Sequence, residues 1–260
     1  MPDPGAILRN SEDTHDVGSR GPSIYACNVE GRLNVMQFPT PASLVPGRLV
    51  GAWLALLGIT ALLAVYGATV GHASWEVEAT RWIQTASPGA LRGVAEFMTV
   101  IGRSPVSTLI PAIAILVLWF FGRRRLSAFL ALAAFARVLS PAVKALVDRP
   151  RPPDSLVNVV HQLSDPSFPS GHVLGATLFY GFLIYCAEDV IAERRLRRVI
   201  QAALVLVIGF MGYARVELGA HWPTDVLGGY ALGFLILTAA IWLHRRVDPA
   251  GRTKPVPASP

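Results

Sequence analysis

The sequence predicts an all-α, polytopic membrane protein: a bundle of six transmembrane helices with short interfacial helices. Two observations lead there. Apolar residues make up 52% of the chain and charged residues only 15%, with a mean hydropathy of +0.46, too apolar for one ordinary soluble domain. Six apolar runs of near-membrane length, at 49–70, 105–121, 126–147, 173–187, 199–213 and 226–243, are separated by short segments that carry the arginines. The net charge of +6 therefore reports membrane orientation, and no nucleic-acid partner is expected.

Residues 1–48 are polar, rich in Gly, Pro, Ser and Asp, and lack sustained periodicity, as in a disordered tail. No charged segment, short apolar core and small-residue cleavage site open the chain, so a cleaved signal peptide is not expected. The first run, 49–70, has 22 uncharged residues and spans ~33 Å as a helix. In 71–103, Trp75, Ala79, Trp82, Ile83 and Ala86 repeat at helical spacing, Pro88-Gly89 breaks the pattern, and Leu91, Val94, Met98 and Ile101 resume it. Two short helices lying in the membrane interface fit that pattern. Pro111 and Pro141 fall inside the second and third spans and should bend them. Arg215 and Glu217 lie just past the short fifth run, at interface depth. The domain thus covers 49–243, and 244–260 is a second, basic tail. Cys27 and Cys186 are far apart in the chain and read as incidental thiols.

Counting Lys and Arg on alternate segments gives 15 on the face bearing both termini and seven on the other, with Arg137 left inside the third span. The positive-inside rule then puts both termini in the cytoplasm. Three motif clusters fall together on the outer face.

The first is Lys144-x6-Arg151-Pro152, two cations that can converge on one phosphate, the arginine as a planar fork and the lysine as a point charge. The second is Phe168-Pro169-Ser170-Gly171-His172, at the start of an apolar helix. Ser170 is a good N-cap, Gly171 admits close approach, and the helix N-terminus favours anions. His172, in the first turn, can supply a proton. The third is Arg215-x5-His221-x3-Asp225, in which a carboxylate can fix the imidazole tautomer and leave the other nitrogen free to attack. Singly these are a capped helix start, interfacial cations and a surface ion pair. All three in order on one membrane face make phosphoryl transfer the better reading. Arg137, mid-span and two turns before Lys144, fits a buried structural pair or a place lining the substrate cleft equally well. His15, His72, His161 and His244 lie outside the motifs and read as solvent or interface residues.

These motifs resemble the signature of the type-2 phosphatidic acid phosphatase (lipid phosphate phosphatase) superfamily in its six-span bacterial form, over about 49–243. The resemblance implies that Lys144, Arg151 and Arg215 bind phosphate with Ser170 and the Gly171 amide. It also implies that His221 is the nucleophile, oriented by Asp225, and that His172 is the general acid. The family usually has Ser before the third-cluster arginine, where this chain has Ala214, so one hydroxyl contact is missing. No carboxylate cluster suited to Mg²⁺ is legible, so a metal-independent reaction without a cofactor is expected. The expected partners are the bilayer and a lipid phosphate or diphosphate at the outer leaflet of a bacterial inner membrane. Undecaprenyl diphosphate is the first substrate to consider, with phosphatidylglycerophosphate and phosphatidic acid open. A lipid phosphotransferase would use the same residues, whereas a non-catalytic lipid binder or transporter would need neither histidine.

A reporter active only in the periplasm, fused after Lys254, should be silent. Periplasmic activity would show that the charge count misassigns the topology.

Overall fold

The computed structural model describes residues 45–248 and the backbone of 23–27 and 33–37. The chain divides into two units, Met1–Gly51 and Ala52–Pro260. In the first, strands β1 (Ser23–Cys27) and β2 (Leu33–Gln37) pair antiparallel, with Ser23 opposite Gln37 and Cys27 opposite Leu33. The sequence reading of 1–48 as a disordered tail did not include this pair, because five-residue strands give too little alternation to stand out. The rest of that reading, His15, and the 244–260 tail beyond Asp248 lie outside the described residues.

The body of the fold is all-α. Its helices are α1 (Gly47–Val70), α2 (Ser74–Ala86), α3 (Gly89–Gly102), α4 (Val106–Phe120), α5 (Arg124–Phe135), α6 (Leu139–Val147), α7 (Gly171–Val190), α8 (Arg194–Glu217) and α9 (Pro223–Val247). Helices α1, α5 with α6, α7, α8 and α9 are each long and apolar enough to cross a membrane. Helix α4, at 15 residues, spans only ~22 Å and falls short of a bilayer core. Joined to α3 across a 64° bend, it makes the sixth candidate span. The chain is a multi-pass membrane protein.

Helix α7 packs against α5, α8 and α9 and is the axis of the bundle. Of its membrane window 61% is buried, against 6% for α1, whose apolar side chains face outward. Close packing follows from missing side chains. A Cβ at Gly181 would lie 2.4 Å from Leu237, and one at Gly233 2.8 Å from Thr177, so α7 and α9 approach at backbone distance. Leu174, Leu178 and Phe182 then fill the space toward Leu130 and Ala133 of α5.

Three expectations need correction. First, two helices do occupy 71–103, but they do not simply float at the interface. Trp75 and Trp82 are exposed as expected, whereas Ala95 and Met98 of α3 pack against α7 and α8, and Glu76 of α2 is fully buried. Second, helix α4 runs on through Pro111. Pro111 cannot donate to the Ser107 carbonyl, and Arg137 supplies the missing donor from Nη1 at 3.1 Å. The sharp turn lies instead between α3 and α4. In the third span the break is a 3₁₀ turn at Ala136–Val138, just before Pro141. Third, the fifth span continues to Glu217, so Arg215 and Glu217 are buried in the bundle end.

The loop from 148 to 170 is strapped to the start of α9. Ser167 N–H donates to the Arg149 carbonyl at 2.8 Å and Ser170 N–H to the Asp225 carbonyl at 3.1 Å. Gly228 leaves room for the Phe168 ring, which a Cβ would meet at 2.2 Å. At Gly219, φ is +65° and a Cβ would lie 2.3 Å from the Asn158 carbonyl, so both backbone and space call for glycine.

Candidate active site

The three motifs converge where α6, α7, α8 and α9 end or begin. Lys144, in the last turn of α6, donates to Asp165 Oδ2 at 2.7 Å and to the Pro166 carbonyl. Arg151 donates from Nη2 to Asp165 Oδ1 at 2.8 Å, from Nε to the Asp165 carbonyl at 2.8 Å and from Nη1 to the Ala220 carbonyl at 2.6 Å. One carboxylate therefore ties together the two cations of the first motif. Burial alone would raise the Asp165 carboxyl, but the hydrogen bond and charge of Lys144, with the charge of Arg151, hold it down at about 2.

His221 is buried beside this pair. Its Nε2 lies 3.3 Å from Arg151 Nη1, and its Nδ1 faces Asp225 Oδ2 at 3.5 Å, with the Ser167 hydroxyl 3.4 Å away. That is a loose form of the expected imidazole–carboxylate pair, common in sites without substrate. Asp225 is held from three other directions, by Ser167 Oγ, by the Trp222 amide at 2.8 Å and by Arg149 Nη1 at 2.6 Å. Burial pushes the His221 imidazole down, the hydrogen bond to Asp225 opposes this, and the Arg151 charge lowers it further, to about 4.

Ser170 stands at the N-cap of α7, but its hydroxyl makes no capping bond and has no partner among the described residues. It is free for a ligand, beside helix amides that lack acceptors within the helix. A Cβ at Gly171 would press on Ser140 at 3.2 Å. His172 is held under Gly102, where a Cβ would come within 2.1 Å of its ring, and its Nε2 has no partner among the described residues. Arg215 donates Nη2 to Thr99, keeps Nε unbonded, and lies within electrostatic reach of Arg151 and His172. Ala214, in the place of the family serine, packs in the core with Val173 and Met211.

Several residues were missed from sequence. Arg149 figured there only as a topology charge, yet it is 1% exposed and fully engaged. Besides Asp225 it donates Nη2 to Glu76 at 2.7 Å, Nη1 to Thr224 at 2.6 Å and Nε to the Gly71 carbonyl at 2.6 Å. Glu76 also accepts from Thr224 at 2.5 Å and Tyr66 at 3.1 Å. Glu76, in the first turn of α2, gave no sequence signal that set it apart from Glu78 two residues on. His72 stacks on Trp222 at 5.2 Å, and His244, expected as a solvent or interface residue, is buried against Tyr185 at 2.9 Å. Among the described residues, no three His, Cys, Asp or Glu side chains converge on a metal-sized site.

A cavity of 590 Å³ opens from His172 and Gly171 into the bundle, walled by α4, α5, α6 and α7. Ile110, Ile115, Phe135 and Phe179 make it largely apolar, and Arg137 stands in its wall.

The pattern of the PAP2 superfamily matches residues 125–248. The Escherichia coli protein YbjG, assigned provisionally to the undecaprenyl-diphosphatases, is 32% identical over 144 residues, which are 52% of this chain and 67% of its own length. The chain belongs to the PAP2 superfamily. Phosphatidylglycerophosphatase B of Bacillus subtilis is 34% identical over 137 residues, half of this chain and 64%, just under two thirds, of that relative. Among solved structures, a transmembrane PAP2-type phosphatidylglycerolphosphate phosphatase from Bacillus subtilis superposes with a TM-score of 0.63. It covers 78% of this chain and 98% of its own at 22% identity, a likeness of fold. The PAP2 match begins within α5 and so includes every motif residue but none of α1 to α4, where Glu76, Gly102 and Thr99 complete the surroundings of the site.

Arg149→Met would leave the Asp225 and Glu76 carboxylates buried without their cation, at a cost of about 3–5 kcal/mol. Early thermal unfolding in detergent should show it, with a smaller loss for Glu76→Gln. His221 titrates below its ordinary 6.5, so the stability it contributes is complete above pH 6.5 and is lost as pH falls through about 4. Across that window the wild type should lose melting temperature more steeply than His221→Asn.

Proposed function

We propose that this chain is an integral membrane phosphatase that hydrolyses a lipid phosphate or diphosphate at the outer leaflet through a phospho-histidine intermediate. The observation that carries the reading is the placement of a buried imidazole, His221, against Arg151 of the Asp165-bridged Lys144–Arg151 pair, with a largely apolar cavity opening from Gly171 and His172. Its neutral state near pH 7 leaves Nε2 with a lone pair, while Asp225 on the Nδ1 side favours the tautomer that attack requires.

In this reading the terminal phosphate lies among Lys144, Arg151 and Arg215, with the Ser170 hydroxyl and the Gly171 amide on its remaining oxygens. These groups offset the charge of the equatorial oxygens, which is most of what phosphoryl transfer requires of a protein. His221 Nε2 forms a bond to phosphorus as the bond to the bridging oxygen breaks. His172 gives that oxygen its proton, and the lipid product departs with its chain in the cavity. His172, now a base, takes a proton from water, whose oxygen attacks the phospho-histidine and releases inorganic phosphate. Three cations and a helix N-terminus perform the role that Mg²⁺ fills in other phosphoryl transferases, which is the reason for proposing a metal-independent reaction.

Undecaprenyl diphosphate is proposed first among substrates, supported by the likeness to YbjG. Phosphatidylglycerophosphate is the second, supported by the likeness to phosphatidylglycerophosphatase B of Bacillus subtilis. The bias of basic residues toward the opposite face supports an extracytoplasmic site.

The test is phosphate release by the purified protein in detergent across a panel of these lipids, with and without EDTA. Release should persist in EDTA; loss restored by Mg²⁺ would refute the metal-free mechanism. His221→Ala should abolish turnover and phospho-enzyme together. His172→Ala should be severely impaired on lipid monophosphates, whose alkoxide leaves poorly, and should recover substantially on p-nitrophenyl phosphate, whose leaving group needs no proton. Equal losses on every substrate would rule out this division of roles.

A further inference from the structure

Arg137 is a charged residue of the cavity wall that the proposed reaction leaves unused. It lies in the middle of a span, where a cation without a counter-ion is costly and ordinarily signals function. Among the described residues no carboxylate pairs with it. A single N–H goes to the Ser107 carbonyl, the acceptor that Pro111 leaves open. The remaining donors of the guanidinium fork are available, and the Ser107 hydroxyl nearby is buried without a partner.

Its position relative to the chemistry is defined from two sides. Ser107 is in the first turn of α4, just past the bend whose other limb ends at Gly102 on the His172 ring. On α7, Gly175 follows His172 by one turn on the same face, and a Cβ there would lie 3.9 Å from Arg137 Cδ. Arg137, Ser140, Ser107 and His172 line one cavity. Along the third span, Ser140 precedes Lys144 by one helical turn and Arg137 precedes Ser140 by about another.

We propose that Arg137, with Ser107, is a specificity-determining anion position for the inner phosphate of a lipid diphosphate. The inference rests on the phosphatase reading above and narrows its substrate class. With the terminal phosphate among the cations and the bridging oxygen at His172, the group on the chain side of that oxygen meets Arg137. In a diphosphate that group is a charged phosphate, which supplies the missing counter-ion. In a monophosphate it is a methylene, which gives a guanidinium nothing. The planar fork suits two phosphate oxygens, and the stem leaves the cavity below apolar.

The experiment compares phosphate release from a prenyl diphosphate and from the prenyl monophosphate of the same chain length, in detergent. Arg137→Gln keeps an N–H for the Ser107 carbonyl and removes the charge, so a merely structural role would lower kcat/KM for both substrates alike. The expected result is at least a tenfold fall in the diphosphate-to-monophosphate ratio of kcat/KM. Arg137→Lys, which keeps the charge without the fork, should give an intermediate ratio and covers the case in which the glutamine variant does not fold. An unchanged ratio in the folded variants would overturn the proposal. Wild-type protein that releases phosphate from neither lipid, nor from any glycerolipid phosphate, would overturn the phosphatase reading and this inference with it. Wild-type activity confined to monophosphates would overturn this inference alone.

Discussion

A single buried guanidinium holds the site together. Arg149 reaches Asp225 at the start of α9, Glu76 on α2 and the Gly71 carbonyl after α1, so one side chain crosslinks three parts of the chain far apart in sequence. Its environment is close to dry, and the balance of one cation between two carboxylates holds only while all three are present. Because Asp225 is pinned on its outer side by Arg149, Trp222 and Ser167, the oxygen facing His221 has little freedom to turn away. The orientation of the imidazole therefore depends on a residue that does not touch it. Arg149 occurs two residues before Arg151, on the same Pro-rich stretch, yet the two cations do unlike work: one is spent entirely on structure and the other faces the open site.

Helix α7 and the bend between α3 and α4 couple that polar centre to the membrane interior. Gly102 makes this possible by letting the bend rest on the His172 ring, and His172 and Arg137 both line the cavity wall. Pro111 then has a use other than bending. By withholding a donor from Ser107 it creates the acceptor that holds Arg137 in place, and the helix stays unbroken because the arginine answers the vacated carbonyl.

Much of this was legible in the chain. The apolar runs locate the spans, because burial in lipid demands about twenty apolar residues whatever the partner helices are. The three motifs mark the candidate site, because phosphate chemistry restricts both residue type and order, and their residues come together in the fold. What was not legible depends on pairing between distant segments. Glu76 sits in a segment whose exposed tryptophans suggest an interfacial helix, and nothing in its neighbourhood announces that Arg149 will come to it. The length of α8 was underestimated because Arg215 and Glu217 lower local hydropathy, although both are buried where α8 packs on α2 and α3. Pro111 misled for the opposite reason: the rule about a lost donor is sound, and the compensating donor is on another helix.

Asp165 shows how such a site persists before a substrate arrives. Lys144 and Arg151 meet at Asp165, with Arg215 within electrostatic reach of Arg151, and without a counter-ion their repulsion would loosen the loop from 148 to 170. The Asp165 carboxylate takes one bond from each of the first two, in the manner in which two phosphate oxygens would. Its side chain is 55% exposed, so in the proposed reaction water would receive the carboxylate when a phosphate took over the cations. Asp225, by contrast, is wholly buried and bound on every side. The two carboxylates nearest the cations thus divide by solvation: the buried one is permanent structure, and the exposed one is a counter-ion that the site can exchange at small cost.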